Sequence, residues 1–108
     1  MLNIDRTCQD VKARMDQGED LVLIDVREPA EVAYCAIQGS VHIPLAEIPR
    51  RLEEIDKAKE TVIVCHVGGR SMQAALFLRA RGFDNVYNLA GGIDAWSRTV
   101  DPGVPRYR

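Results

Sequence analysis

Thr61-Val62-Ile63-Val64-Cys65-His66-Val67-Gly68-Gly69-Arg70-Ser71 is the stretch that decides how this sequence folds. Its β-branched run stops at a cysteine. Two glycines, an arginine and a serine follow, and a helix-forming segment continues from Met72 to Arg81. That order predicts a strand over 61–64, a tight loop and a helix, with Cys65 at the carboxyl end of the strand. Open α/β sheets bind their ligands at that edge. A loop that feeds a helix N-terminus also presents unpaired N–H groups and the positive end of the helix dipole. Gly68 and Gly69 permit the backbone angles needed to curl around a sulfur atom, while Arg70 and His66 add cationic or hydrogen-bonding side chains. Each feature favours an anion at or just beyond Cys65 Sγ, so Cys65 is the expected nucleophile. The alternative is a buried strand cysteine ahead of an ordinary Gly-Gly turn.

The flanks support an alternation of strands and helices. Upstream, Leu21–Val26 is apolar until Asp25, as in a parallel strand covered on both faces. Asn3-Ile4-Asp5 is a very short first strand or an entry segment. Thr7 and Asp10 resemble a capping pair, and Cys8, Val11 and Met15 share one face of a helix closed by Gly18, which makes Cys8 a small buried hydrophobe. Pro29 suits the first turn of a short helix ending near Tyr34. Val41-His42-Ile43 is a third short strand stopped by Pro44, with His42 in a structural role. Leu45 to Ile55 reads as one helix with Pro49 near its start and an apolar stripe of Ile48, Leu52 and Ile55. The charges from Arg50 to Lys59 form its solvated face and the loop beyond.

Downstream, the helix from Met72 is apolar on most sides and is expected to be well buried. Gly82 is its stop, with Phe83 folded back onto Leu78. Asn85–Leu89 is the last strand, and Gly91-Gly92 turns the chain into a short helix carrying Ile93 and Trp96. The tail from Asp101 to Arg108 holds two prolines, which rule out regular helix or central strand. The whole pattern argues for an α/β fold around a mostly parallel sheet, in a single domain over residues 1–108.

Composition narrows the function classes. A chain of 108 residues can bury one core, and a net charge of −2 gives no electrostatic case for nucleic-acid binding. No apolar run approaches the roughly 20 residues that span a bilayer, and the first residues lack the basic and apolar regions of a signal peptide. Three scattered cysteines make no disulfide framework, which points to a reduced, cytoplasmic setting. Cys8, Cys35, Cys65, His42 and His66 show no metal-ligand spacing, so neither a metal nor another cofactor is expected.

At this point the sequence resembles the rhodanese domains, a family of sulfurtransferases, over nearly its whole length. The resemblance runs through Leu23-Ile24-Asp25-Val26-Arg27-Glu28-Pro29 with Glu31, through Gly39 and Ile43-Pro44, and through the signature Cys-x-x-Gly-x-Arg-Ser at Cys65, Gly68, Arg70 and Ser71. It closes with Arg81-Gly82-Phe83, Val86-Tyr87-Asn88-Leu89 and Gly91-Gly92-Ile93 with Trp96. The resemblance implies a three-layer fold with a five-stranded, mostly parallel sheet and a double-displacement reaction. Cys65 would take the outer sulfur of a donor such as thiosulfate and hold it as a persulfide. Cyanide, a thiol or a carrier protein would then remove it. By position, the N–H groups of His66, Val67, Gly68, Gly69 and Arg70 would stabilise the outer sulfur, and the Arg70 fork could hold the sulfonate end of thiosulfate. Asp25 and Arg27 would tie loops beneath the site, and Ser71 would cap the following helix. The tail from Val100 to Tyr107 looks like the terminus of rhodanese domains fused to sulfur-carrier adenylyltransferases, which would make a sulfur-carrier protein the acceptor.

Two rival classes share this fold. Non-catalytic rhodanese-like modules bind proteins, and they commonly lack the cysteine that is present here. Cell-cycle-type dual-specificity phosphatases and arsenate reductases built like them have Cys-x5-Arg, whereas four residues separate Cys65 from Arg70. The shorter loop makes a cradle sized for a sulfur atom. Two departures from the family pattern stand out. His66 occupies a position where many members have arginine, leaving less fixed positive charge in the pocket. Cys35 replaces a glycine in the segment Cys35-Ala36-Ile37-Gln38-Gly39-Ser40, which also lacks the family's histidine and first proline. Cys35 is expected to be a tolerated core residue.

Overall fold

The computed structural model describes residues 3–108, and Met1 and Leu2 of the N-terminal segment lie outside the described residues. Strand β1 (Asp5–Arg6) leads into helix α1 (Cys8–Asp16), and β2 (Leu21–Asp25) leads into α2 (Pro29–Tyr34). Strand β3 (Val41–His42) is followed by two 3-10 segments, Leu45–Arg50 and Leu52–Glu54. Then come β4 (Glu60–Val64), α3 (Gly69–Ala80), β5 (Val86–Leu89) and α4 (Gly92–Thr99). The strands form one sheet in the order β1-β5-β4-β2-β3, and every pairing is parallel. The α/β architecture expected from the sequence is present.

The sheet has a packed layer on each face, which explains the unbroken apolar run of its middle strand. Val62 and Val64 of β4 turn to one side with Leu23, Leu89, Ile93 and Trp96. Ile63 turns to the other with Ile24, Ala74, Ala75 and Leu78, and Cys65 continues that alternation. Each fully buried aliphatic side chain of this kind contributes roughly 1.5–3 kcal/mol.

Topology places the site. From β2 the chain crosses to β3 at one edge, whereas from β4 it crosses towards β5 in the opposite direction. The adjacent carboxyl ends of β2 and β4 therefore bracket the crevice where the order reverses, the usual ligand position in such sheets. Asp25 and Val64, the last residues of those strands, are paired in register. Cys65 follows directly.

The helix ends are set by local chemistry. Thr7 Oγ1 accepts the Asp10 N–H at 3.1 Å and caps α1. At the end of α3, the Gly82 N–H donates to Arg79 O at 3.1 Å and the Phe83 N–H to Leu78 O at 3.0 Å. These are the two bonds of the Schellman ending, with Phe83 and Leu78 buried in one cluster.

Three expectations need correction. Leu45–Ile55 is not one α-helix, because Pro49 falls inside it, lacks an N–H and clashes with a regular α turn. The first 3-10 segment still buries Ile48, and Ile55, directly after the second, is buried as well. Helix α3 begins at Gly69 rather than Met72, since Gly68 turns the chain straight into it. It is also not buried all round, as Leu76 is exposed.

Candidate active site

Cys65 stands one residue beyond β4 with its side chain 1% exposed. The Gly68 N–H donates to Cys65 Sγ at 3.0 Å. That contact depends on Gly68 holding φ at 111°, in the left-handed region that favours glycine. The opposite side of the loop is held by the first turn of α4, where Ile93 and Asp94 N–H groups donate to the carbonyls of Cys65 and His66 at 2.8 and 3.0 Å. Gly92 makes this approach possible. With φ at 62°, a Cβ there would lie 2.5 Å from both carbonyl oxygens. The loop is thus clamped between two helix N-termini, whose positive ends favour an anion at the sulfur.

Ser71 does not cap α3, because Gly68 occupies the capping position and Ser71 lies in the first turn. The Ser71 side chain is buried against Cys65 instead, with Oγ 3.2 Å from Cys65 Sγ. Its hydroxyl donates to Asn88 Oδ1, and Asn88 Nδ2 donates to Asp5 Oδ1 at 2.9 Å, which fixes the amide orientation. A chain of polar contacts therefore runs from β1 through β5 to the sulfur. Asn88 is a polar residue buried in an apolar strand, and that signal was available in the sequence.

Arg70 and Glu31 form a bidentate pair, with Nη1 to Oε1 at 2.6 Å and Nη2 to Oε2 at 2.8 Å. Among the described residues Glu31 is the only hydrogen-bond partner of Arg70, so the Nε edge of the guanidinium carries no protein acceptor. The Arg70 hydrogen bonds hold the Glu31 carboxyl down at about 2, with burial opposing and Tyr107 assisting. Arg70 is pushed above its ordinary range by its hydrogen bonds to Glu31 and by the charge of that carboxylate, against burial. It also lines a cavity of about 370 Å³ whose other walls include Leu45, Ile48, Pro49 and Phe77.

The remaining residues fall into distinct places. Val67 is exposed at the loop tip. The Asp25–Arg27 pair is buried beneath the site. Arg27 donates to both Asp25 oxygens (2.7–3.1 Å) and to Cys35 O (2.7 Å). His42 Nε2–H donates to the Arg27 carbonyl at 2.7 Å. The Cys35 side chain packs in the cluster with Val62 and Val64, on the opposite side of the sheet from Cys65. Burial pushes the Cys8 thiol up to about 11.

The tail supplies the contact that spacing along the chain did not reveal. Tyr107 Oη donates to Glu31 Oε2 at 2.6 Å and accepts from Arg27 Nη1 at 2.9 Å. Its ring stacks on His66, with centroids 4.0 Å apart and planes 12° apart. Among the described residues no group of His, Cys, Asp or Glu is arranged to hold a metal ion, and no helix is long and apolar enough to cross a membrane.

Comparisons with known proteins bear on the family and the fold. The sequence pattern of the rhodanese-like domain matches residues 7–99. A protein of Allochromatium vinosum named sulfurtransferase is 41% identical over 90 residues, covering 83% of this chain and 84% of that protein. A chloroplastic rhodanese-like/PpiC domain protein of Arabidopsis thaliana is 42% identical over 97 residues, 86% of this chain but 31% of its own length. An adenylyltransferase and sulfurtransferase of Zea mays is 33% identical over 108 residues, 94% of this chain and 23% of that protein. The crystal structure of a rhodanese-related protein from Thermoplasma volcanium superposes with a TM-score of 0.83 at 27% identity, covering 95% of this chain and 98% of that one.

Proposed function

Because the chain belongs to the rhodanese-like domain family, we propose that it is a sulfurtransferase whose Cys65 carries the transferred sulfur. The observation that carries this reading is the Gly68 N–H aimed at Cys65 Sγ from a loop with four residues between cysteine and arginine. In the first half-reaction the Cys65 thiolate attacks the outer sulfur of thiosulfate. The sulfur–sulfur bond of the donor breaks, sulfite leaves with the electron pair, and Cys65 becomes a persulfide. In the second, an acceptor nucleophile attacks the outer sulfur and returns the thiolate. Cyanide would leave as thiocyanate, and a thiol would leave as a persulfide.

The chain's own groups have separate tasks in this scheme. The Gly68 N–H reaches Cys65 Sγ, and in this reading the N–H groups of His66 to Arg70 would receive the outer sulfur, since fixed donors stabilise charge without reorganising. The open Nε edge of Arg70 suits the oxyanion end of the donor. Asp25, Arg27 and Ser71 hold the floor and the nucleophile in place. The likeness of the tail and of 94% of the chain to an adenylyltransferase and sulfurtransferase supports a sulfur-carrier protein as a physiological acceptor. Three free cysteines suit a reducing compartment such as the cytoplasm.

The test is thiocyanate formation from thiosulfate and cyanide by the parent and by Cys65→Ser. Turnover in the parent with loss of about 1,000-fold or more in the variant is expected, because removing a covalent nucleophile removes the reaction path. A variant that retains full turnover contradicts the mechanism, and an inactive parent contradicts the reaction.

A further inference from the structure

The tail from Asp101 to Arg108 has no regular secondary structure, yet Tyr107 meets three separated parts of the chain. Its hydroxyl lies between Arg27 and Glu31, its ring covers His66, and its carbonyl oxygen accepts the His66 Nε2–H at 2.8 Å. Arg106 anchors the same segment to α4 through Asp94 at 2.9 Å. The direction of the hydroxyl bonds is forced. A guanidinium only donates and a carboxylate only accepts, so the Tyr107 oxygen receives from Arg27 and its proton goes to Glu31. Burial, then the Glu31 carboxylate, raise the phenol to about 12, and it remains a donor across the working pH range.

These bonds converge on the side chains of His66 and Arg70, one directly after Cys65 and the other at the start of α3. Glu31 is held by Arg70 on one side and by Tyr107 on the other, with the Glu28 N–H at 3.1 Å on its second oxygen. A carboxylate pinned this way fixes the end edge of the Arg70 guanidinium and so sets where the free Nε edge points. His66, the residue after Cys65, is fixed by stacking and by its ring N–H. We propose that Tyr107 is a positioning residue for the reaction at Cys65, orienting Arg70 through Glu31 and holding His66 at the mouth of the cysteine loop. The inference rests on the sulfur-transfer reading of Cys65.

The test is Tyr107→Phe, which keeps the ring and carbonyl contacts and deletes only the hydroxyl. Loss of hydrogen bonds to charged groups on both sides predicts a thiosulfate KM raised about tenfold with kcat within about twofold, and a melting temperature lowered by several degrees because the buried Arg27 Nη1 also loses an acceptor. The guanidinium N–H signal of Arg70 in a nitrogen–proton NMR spectrum shifts or broadens, whereas the His66 ring protons keep the upfield displacement that stacking gives. Tyr107→Ala loses that displacement as well. If the parent turns over thiosulfate but Tyr107→Phe leaves both KM and the Arg70 signal unmoved, the positioning role is overturned and the sulfur chemistry stands. If the parent gains no sulfur at all, the sulfur-transfer reading fails and this role fails with it.

Discussion

Two arginine–carboxylate pairs lie side by side in this molecule, and the difference between them separates support from reactivity. Arg27 and Asp25 are 0% and 1% exposed, whereas Arg70 and Glu31 are 35% and 21% exposed. All five guanidinium hydrogens of Arg27 have protein acceptors. Nε–H faces Asp25, the Nη2 pair reaches Asp25 and Cys35 O, and the Nη1 pair reaches Tyr107 Oη and Glu31 O. Arg70 uses two, both on Glu31. A saturated, buried arginine has nothing left to offer a ligand and acts as a strut. A half-exposed arginine held by one edge retains donors for an anion. Residue type and motif position do not make this distinction. Burial does.

The sharpest way to break the comparison is to remove one carboxylate from each pair. Asp25→Ala strands a buried guanidinium, and the expected cost is about 3–5 kcal/mol, read as a large drop in the urea midpoint of unfolding. A midpoint close to the parent's would mean that Arg27 finds other partners and is no strut. Arg70→Ala is expected to lower kcat/KM for thiosulfate about 10- to 100-fold while unfolding changes by no more than about 1 kcal/mol, because the pair is partly solvated. Equal losses of activity and stability would erase the contrast.

Smaller effects come from Glu31 itself. Its folded-state carboxyl lies at about 2 against an ordinary 4.5, chiefly through the Arg70 hydrogen bonds. The unfolded chain therefore takes up a proton first as pH falls. The stability contributed by this group is fully present above about pH 4.5 and is lost progressively on acidification towards about 2. Glu31→Gln flattens the stability curve in that window, and an unchanged acid limb would show that Glu31 is not held by Arg70. The smallest effect is that of salt. Raising it to about 1 M trims the exposed pair by a few tenths of a kcal/mol and leaves the buried pair untouched, a difference seen by comparing Glu31→Gln with the parent.

The sequence carried the parts of this molecule whose causes are local. The apolar run into Cys65, the Thr7 cap and the Gly82–Phe83 helix ending each depend on neighbours a few residues apart, and each is found in the structure. The start of α3 differs from the sequence reading because Gly68 and Gly69 read as loop, although a glycine in the left-handed region is also a compact way into a helix. The same difference separates the capping role expected of Ser71 from its place beside the sulfur. Glu31 appeared only as one letter of a motif. Its partners at Arg70 and Tyr107 are 39 and 76 residues away, beyond anything periodicity can relate. Tyr107 carried no signal at all beyond a resemblance of the tail, since a tyrosine between arginines in a proline-containing end has no pattern that points inward.

The central claim is that Cys65 itself holds the sulfur, and the most direct measurement is the intact mass of the protein after incubation with thiosulfate, followed by peptide mapping. The account predicts a gain of one sulfur atom, located on the peptide containing Cys65, lost on adding cyanide and absent in Cys65→Ser. A protein of unchanged mass, or a sulfur found on Cys8 or Cys35, would contradict it.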